Sequence, residues 1–312
     1  MSPMTSRTFA DHDLGMSPSR PRRTKHSTVL LLVAALVAPT ILAACSAGGG
    51  VPPTARTGTG QAGVTVTALP LPAGVGHVHA LVRDPMTDRI LAGTHAGLFE
   101  ITPHGATSRV GAGTDDLMSL TVDASGDLYA SGHPATGSAA TNPLGLIRST
   151  DGGRTWGSVS REGMSDFHAL TVRGSTIVGL ADATLATSRD AGRTWQFGAR
   201  ADAGTLTLDS TTLWVAGPSG LQRSSDDGAS LQPVPDAPKL RLDSPAIDDT
   251  VWGLGDDGTV WRRDDRGLWT RVARVPSADP ASALVAVTAD RALIATGSEL
   301  VRIDLPGVPS TA

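Results

Sequence analysis

The sequence predicts an all-β protein, a six-bladed β-propeller. Three observations predict it. A unit of about forty residues returns six times, a short turn phrase recurs inside those units, and no long helix-period segment follows residue 70.

Each unit reads as an alternating strand, a second strand, then a Gly-x or Gly-Leu step into a third. The third-strand stretches are "GTHAGLFEI", "NPLGLIRS", "ADATLATS", "GPSGLQRS", "GDDGTVWR" and "TGSELVRI". With Leu98, Leu146, Leu185, Leu221, Val260 and Leu300 as equivalents, successive steps are 48, 39, 36, 39 and 40 residues. The one long step carries an insertion, Pro134 to Pro143. Six units of three or four short strands close into a disc. The missing fourth strand of the last unit is expected from "GVTVTALP", residues 63–70, which would close the ring and remove open sheet edges. Composition agrees: 36 Gly and 21 Pro supply turns, and 40% apolar residues supply a core. The net charge of −4 gives no electrostatic reason to expect nucleic acid, and a monomer is expected.

Four segments follow from residue 1. Residues 1–44 read as an export signal: Arg20, Arg22, Arg23 and Lys25 precede the apolar stretch "VLLLVAALVAPTIL". That stretch is short and broken by Pro39, so it does not read as a membrane span. The following "LAAC" resembles the lipobox of bacterial lipoproteins, which implies lipidation of Cys45. Cys45 is the single cysteine, so no intrachain disulfide is possible. Met16 is an alternative start, and Arg22-Arg23 is a poor twin-arginine match, which favours the general secretory route. Removal of 1–44 leaves 21 basic and 28 acidic residues, a net −7, suited to the outer face of the cytoplasmic membrane rather than to an anionic lipid surface. Residues 45–70 read as a Gly/Pro/Thr-rich flexible tether, 71–306 as the propeller and 307–312 as a tail.

The turn phrase is "RSTDGGRTWGSV", Arg148 to Val159. It returns as "TSRDAGRTWQFG" from Thr187 and, without its Trp, as "RSSDDGASLQPV" from Arg223; "RRDDRGLW" is a faint fourth. Its place between third and fourth strands makes it a hairpin. Ser149, Ser188 and Ser224 open it, and Asp151, Asp190 and Asp226 can accept backbone N–H bonds across it. Gly153, Gly192 and Gly228 permit positive φ. Thr155 and Thr194 precede Trp156 and Trp195, whose rings would pack between blades. These phrases resemble the Asp box, or BNR repeat, of sialidases, sortilin-like receptors and many secreted propellers, over about residues 75–305. The resemblance implies a structural turn on the face away from any active site.

A sialidase would need three Arg for a carboxylate, a Tyr nucleophile with a Glu, and an Asp acid. The chain has one Tyr, Tyr129, which reads as a packed strand residue, and three Glu: Glu100, Glu162 and Glu299. The Arg-Ile-Pro signature is absent; "DRILAG" lacks the Pro. The wider resemblance is to bacterial lipoproteins grouped with glycosyl hydrolases or exo-alpha-sialidases because of such turns. That grouping is no evidence of catalysis.

The histidines carry the sharper reading. In the aligned first strands "HVHALVRD", "DLMSLTVD" and "DFHALTVR", His79, Met118 and His168 coincide, and His77, Asp116 and Asp166 lie two residues earlier. His95 and His133 coincide at the ends of second strands. In an antiparallel blade the first strand starts on the face where the second ends, opposite the 3–4 hairpins. His77, His79, His95, His133 and His168 should therefore share one face, with His104 on the other. The insertion 134–143 leaves that same face and is placed to cover it. Imidazoles with a thioether and two carboxylates suit a transition metal, copper or zinc. The competing reading is that each His caps a strand end by hydrogen bonding. The first expectation is thus a binding protein for a metal or small ligand. The second is a glycan hydrolase using Asp116 and Asp166, and the third is a scaffold for another envelope protein.

Overall fold

The structure is a computed structural model and describes residues 56–59, 61–102, 104–248, 250–275 and 281–307. The export signal, Cys45 and residues 46–55 lie outside the described residues. Among the described residues, twenty-five strands form six antiparallel sheets, and no helix is long and apolar enough to cross a membrane.

The chain enters through β1 (Arg56–Thr59) and β2 (Thr65–Pro70). Blade 1 follows as β3 (Val78–Arg83), β4 (Ile90–Thr94), β5 (Gly97–Ile101) and β6 (Thr107–Arg109). Blade 2 is β7 (Asp116–Val122), β8 (Leu128–His133), β9 (Leu146–Ser149) and β10 (Gly157–Ser160). Blade 3 is β11 (Ala169–Arg173), β12 (Thr176–Ala181), β13 (Thr184–Ser188) and β14 (Gln196–Arg200). Blade 4 is β15 (Thr205–Leu208), β16 (Leu213–Gly217), β17 (Gly220–Ser224) and β18 (Gln232–Pro233). Blade 5 is β19 (Leu242–Asp243), β20 (Val251–Leu254), β21 (Thr259–Arg263) and β22 (Trp269–Arg274). Blade 6 is β23 (Ala281–Thr288), β24 (Arg291–Thr296) and β25 (Glu299–Asp304).

β2 completes blade 6 by pairing with β25, from Thr65↔Asp304 to Pro70↔Glu299, so the two ends of the fold lock in one sheet. This is the closure expected from residues 63–70. β1 adds a fifth strand on β2, in register Arg56↔Ala68 to Thr59↔Thr65. Composition assigns 56–59 and 65–70 to a flexible tether, but pairing places both in the closing sheet. Val66 and Ala68 fall on the inward side of β2 and join the core between blades 5 and 6. Two buried apolar side chains and a full ladder outweigh the backbone freedom that Gly and Thr would otherwise favour.

The six equivalents chosen from the sequence all lie on third strands, and each is at most 5% exposed. They sit where blades press on one another. Middle strands are buried on both faces, so β4 (ILAGT) and β24 (RALIAT) read as continuous apolar runs rather than alternations. Outer strands such as β14 are exposed. Close approach of blades demands small residues: a Cβ on Gly93 in β4 would stand 3.2 Å from the Leu117 carbonyl oxygen in β7. Each first strand touches the first strand of the next blade, and β23 touches β3, which closes the ring around a central channel.

The three Ser-x-Asp hairpins are built alike. The N–H of Gly153 donates to Ser149 Oγ (2.8 Å), the N–H of Thr155 to Asp151 Oδ1 (3.0 Å), and the Thr155 hydroxyl to Asp151 Oδ2 (2.6 Å). The second repeats this with Gly192, Ser188, Thr194 and Asp190, and the third with Gly228, Ser224, Ser230 and Asp226. These bonds pull all three carboxyls below the usual range, Asp226 to about 2. Trp156 packs between blades 1 and 2. Trp195 stacks on Phe167 (4.8 Å) between blades 2 and 3, and its Nε1–H donates to Ser160 Oγ (2.9 Å). Tyr129 is 2% exposed and packed, as its strand position suggests.

Candidate functional site

The channel mouth opens on the face opposite the Ser-x-Asp hairpins. Pairing fixes this: Val78 faces Thr94 in blade 1 and Asp116 faces His133 in blade 2, while Leu128, at the other end of β8, faces Ser149. His79, Met118 and His168 line one cavity with residues of every blade's inner edge, including Ser119, Thr121, Thr171, Thr207 and Ser282. It measures about 600 Å³, space open to solvent included.

A backbone irregularity aims these side chains. Register shifts fall between Val78 and Ala80 in β3, between Leu117 and Ser119 in β7, and between Ala281 and Ala283 in β23. His79, Met118 and Ser282 are thus the extra residues of three bulges at one repeat position. A bulge turns its residue out of the ladder, here into the channel. Simple alternation could not foresee this. In blade 3, His168 N–H still donates to Leu180 O (2.9 Å), so His168 stands just before β11.

The blade 1–2 junction gathers the first group. The rings of His77 and His79 lie 4.8 Å apart, those of His79 and His95 4.3 Å, and those of His77 and His95 5.7 Å. His79 Nε2 is 3.2 Å from His95 Nδ1, which is 2.8 Å from Asp116 Oδ2; His79 Nε2 is 3.5 Å from Asp116 Oδ1. One ligand atom from each of His79, His95 and Asp116 falls within 4.8 Å of the others. A neutral imidazole carries one ring proton. Which of these contacts are hydrogen bonds therefore depends on the tautomer of each ring. Burial, then the charges of His95 and His77, lowers the His79 pKa to about 4 and keeps that ring neutral at pH 7.

The blade 2–3 junction gathers the second group. Asp166 Oδ2 is 2.8 Å from His168 Nε2 and 3.3 Å from His133 Nε2. Burial works to raise the Asp166 pKa, but the His168 hydrogen bond and the charges of His168, His133 and His79 outweigh it and leave it lowered. The same hydrogen bond raises that of His168. Asp116 Oδ1 and Asp166 Oδ1 are buried with no hydrogen-bond partner among the described residues.

All five face-sharing histidines expected from the sequence reach this mouth, in two groups rather than one. His104 stands in the turn between β5 and β6, on the hairpin side. Two supporting residues escaped the sequence reading. Asn142, on the inserted loop, meets His133 Nδ1 through Oδ1 (2.8 Å), and Asp115 receives the N–H of Ala135 (2.8 Å), which pins that loop to the rim. The loop's origin beside His133 was the signal available for both.

No protein-family model matches the chain, and no curated protein matches it. Solved structures share its architecture. A gluconolactonase from Xanthomonas campestris superposes with a TM-score of 0.56 at 16% identity, over 77% of this chain and 90% of that one. A virginiamycin B lyase from Staphylococcus aureus gives 0.52 at 10% identity, over 78% and 99%. A GH74 xyloglucanase from Xanthomonas campestris gives 0.53 at 18% identity, over 75% of this chain and 45% of the enzyme, so the chain spans under half of it. At such identities the likeness shows the fold, a six-bladed β-propeller.

Proposed function

We propose that this protein is a metal-binding propeller, holding a copper or zinc ion at the channel mouth through His79, His95 and Asp116, with His77 alongside. One observation carries the reading: two imidazole nitrogens and a carboxylate oxygen converge within 4.8 Å, close enough to share one cation. A cation at their centre would accept a lone pair from each, as imidazole and carboxylate ligands do for zinc and copper. The channel mouth supplies access, and burial of His79 keeps its ring uncharged at pH 7.

The protein is further proposed to be exported and tethered by lipid on Cys45 to the outer face of the bacterial cytoplasmic membrane. The basic-apolar-"LAAC" order supports this.

The test is metal analysis of protein purified without chelators, followed by calorimetric titration with Zn(II) and Cu(II). Bound metal that is lost in His79→Ala/His95→Ala supports the reading; metal at background in both proteins refutes it. A hydrolase is the second reading, favoured by the unpartnered buried oxygens of Asp116 and Asp166 at one mouth. Hydrolysis of labelled glycosides, abolished in Asp166→Asn, would support it.

A further inference from the structure

The two histidine groups are related by one blade step. His95 and His133 occupy equivalent positions at the ends of second strands, and Asp116 and Asp166 equivalent positions at first strands. Each His meets the carboxylate of the next blade, at 2.8 Å and 3.3 Å. The bulged residue of the first group is His79; its equivalent one blade on is Met118. The repeat has therefore placed a His–Asp pair at two successive seams and exchanged the bulged imidazole for a thioether. His168 of blade 3 adds an imidazole to the second pair, 2.8 Å from the same Asp166 oxygen.

The contacts of the second group point the same way as the symmetry. His133 Nδ1 is held by the Asn142 carbonyl oxygen (2.8 Å), which turns Nε2 toward Asp166. Asp166 Oδ2 stands 3.3 Å from that nitrogen and 2.8 Å from His168 Nε2. The second Asp166 oxygen is buried and has no hydrogen-bond partner among the described residues. A cation bound by this carboxylate would give that oxygen a partner.

We infer that the mouth carries a second metal site, built from His133, Asp166, His168 and the Met118 thioether, and that it takes a soft monovalent ion, Cu(I). Thioether ligands select Cu(I), whereas the first group, with imidazoles and a carboxylate, suits Zn(II) or Cu(II). The inference rests on the reading of the first group as a metal site, since the second is its repeat copy.

Anaerobic titration of the full chain with Cu(I) against a chromophoric Cu(I) chelator tests it, with Zn(II) titration in parallel. The expected result is one equivalent of Cu(I), lost in His133→Ala/His168→Ala, beside one equivalent of Zn(II) that this variant retains. Met118→Leu should weaken Cu(I) binding at least tenfold while Zn(II) binding at the first group is unchanged, and X-ray absorption should lose its copper–sulfur scattering. Unaltered thermal unfolding of each metal-free variant excludes misfolding, and Leu conserves the volume of Met. A single equivalent, lost in His79→Ala/His95→Ala but indifferent to His133, His168 and Met118, overturns the second site and leaves the first standing. Metal at background overturns both.

Discussion

His95 and Asp116 stand in neighbouring blades, twenty-one positions apart in sequence, yet His95 Nδ1 lies 2.8 Å from Asp116 Oδ2. The contact bridges the seam between blades 1 and 2 at the point where the channel opens. Its closeness is set by the ring of first strands, which holds adjacent blades edge to edge.

Ligand binding at this seam should stabilise the fold. At a metal concentration one hundred times Kd, linkage gives about 2.7 kcal/mol, or roughly 5–10 °C in Tm for a domain of this size. Differential scanning fluorimetry with Zn(II) and with a chelator should show that shift. Asp116→Asn should retain the metal-free Tm and lose most of the response, because a neutral amide is a poor replacement for an anionic ligand.

The Ser-x-Asp hairpins should set the acid limit of stability. Hydrogen bonds from Thr155 to Asp151, from Thr194 to Asp190, and from Ser224 and Ser230 to Asp226 hold these carboxyls below the unfolded value near 4. A depressed folded-state pKa gives stability that is present above the unfolded value and lost as pH falls through the folded one. Tm should therefore drop between about pH 4 and pH 2. The triple variant Asp151→Asn/Asp190→Asn/Asp226→Asn should start lower at pH 7 and fall less steeply over that window. Equal slopes would contradict the assignment.

Gly153 adopts φ +88° and a Cβ there would stand 2.1 Å from Leu98 Cδ2. Gly153→Ala should cost about 2–4 kcal/mol through backbone strain and overpacking. Gly157, outside the left-handed region with no heavy atom within 4 Å of a built Cβ, serves as control; its Ala variant should unfold at an unchanged urea midpoint. Comparable losses at both positions would sink the argument.

Closure by β2 should matter more than the added strand β1. A chain starting at residue 61 keeps the β2–β25 ladder and should unfold cooperatively. A chain starting at residue 71 exposes the β25 edge and the core around Val66, and should lose roughly 10 °C or more in Tm, or aggregate. Circular dichroism melts of the two chains check this.

Within one blade, the sequence was enough. Hairpin partners are close in the chain, strand alternation has a period of two, and turn chemistry is local, so the third-strand anchors Leu98 to Leu300, the three hairpins and the face shared by the histidines could all be read from residue order. Between blades, only the tertiary structure decided. Whether His95 meets Asp116, whether His133 meets Asp166 and not His77, and whether residues 56–59 pair or hang free depend on how first strands pack around the channel. That packing is a balance of many buried side chains from distant units, and the bulges at His79 and Met118 that aim the ligands inward are part of it. A linear pattern fixes which way a strand runs; the distance between two strands that never pair is fixed by what fills the space between them.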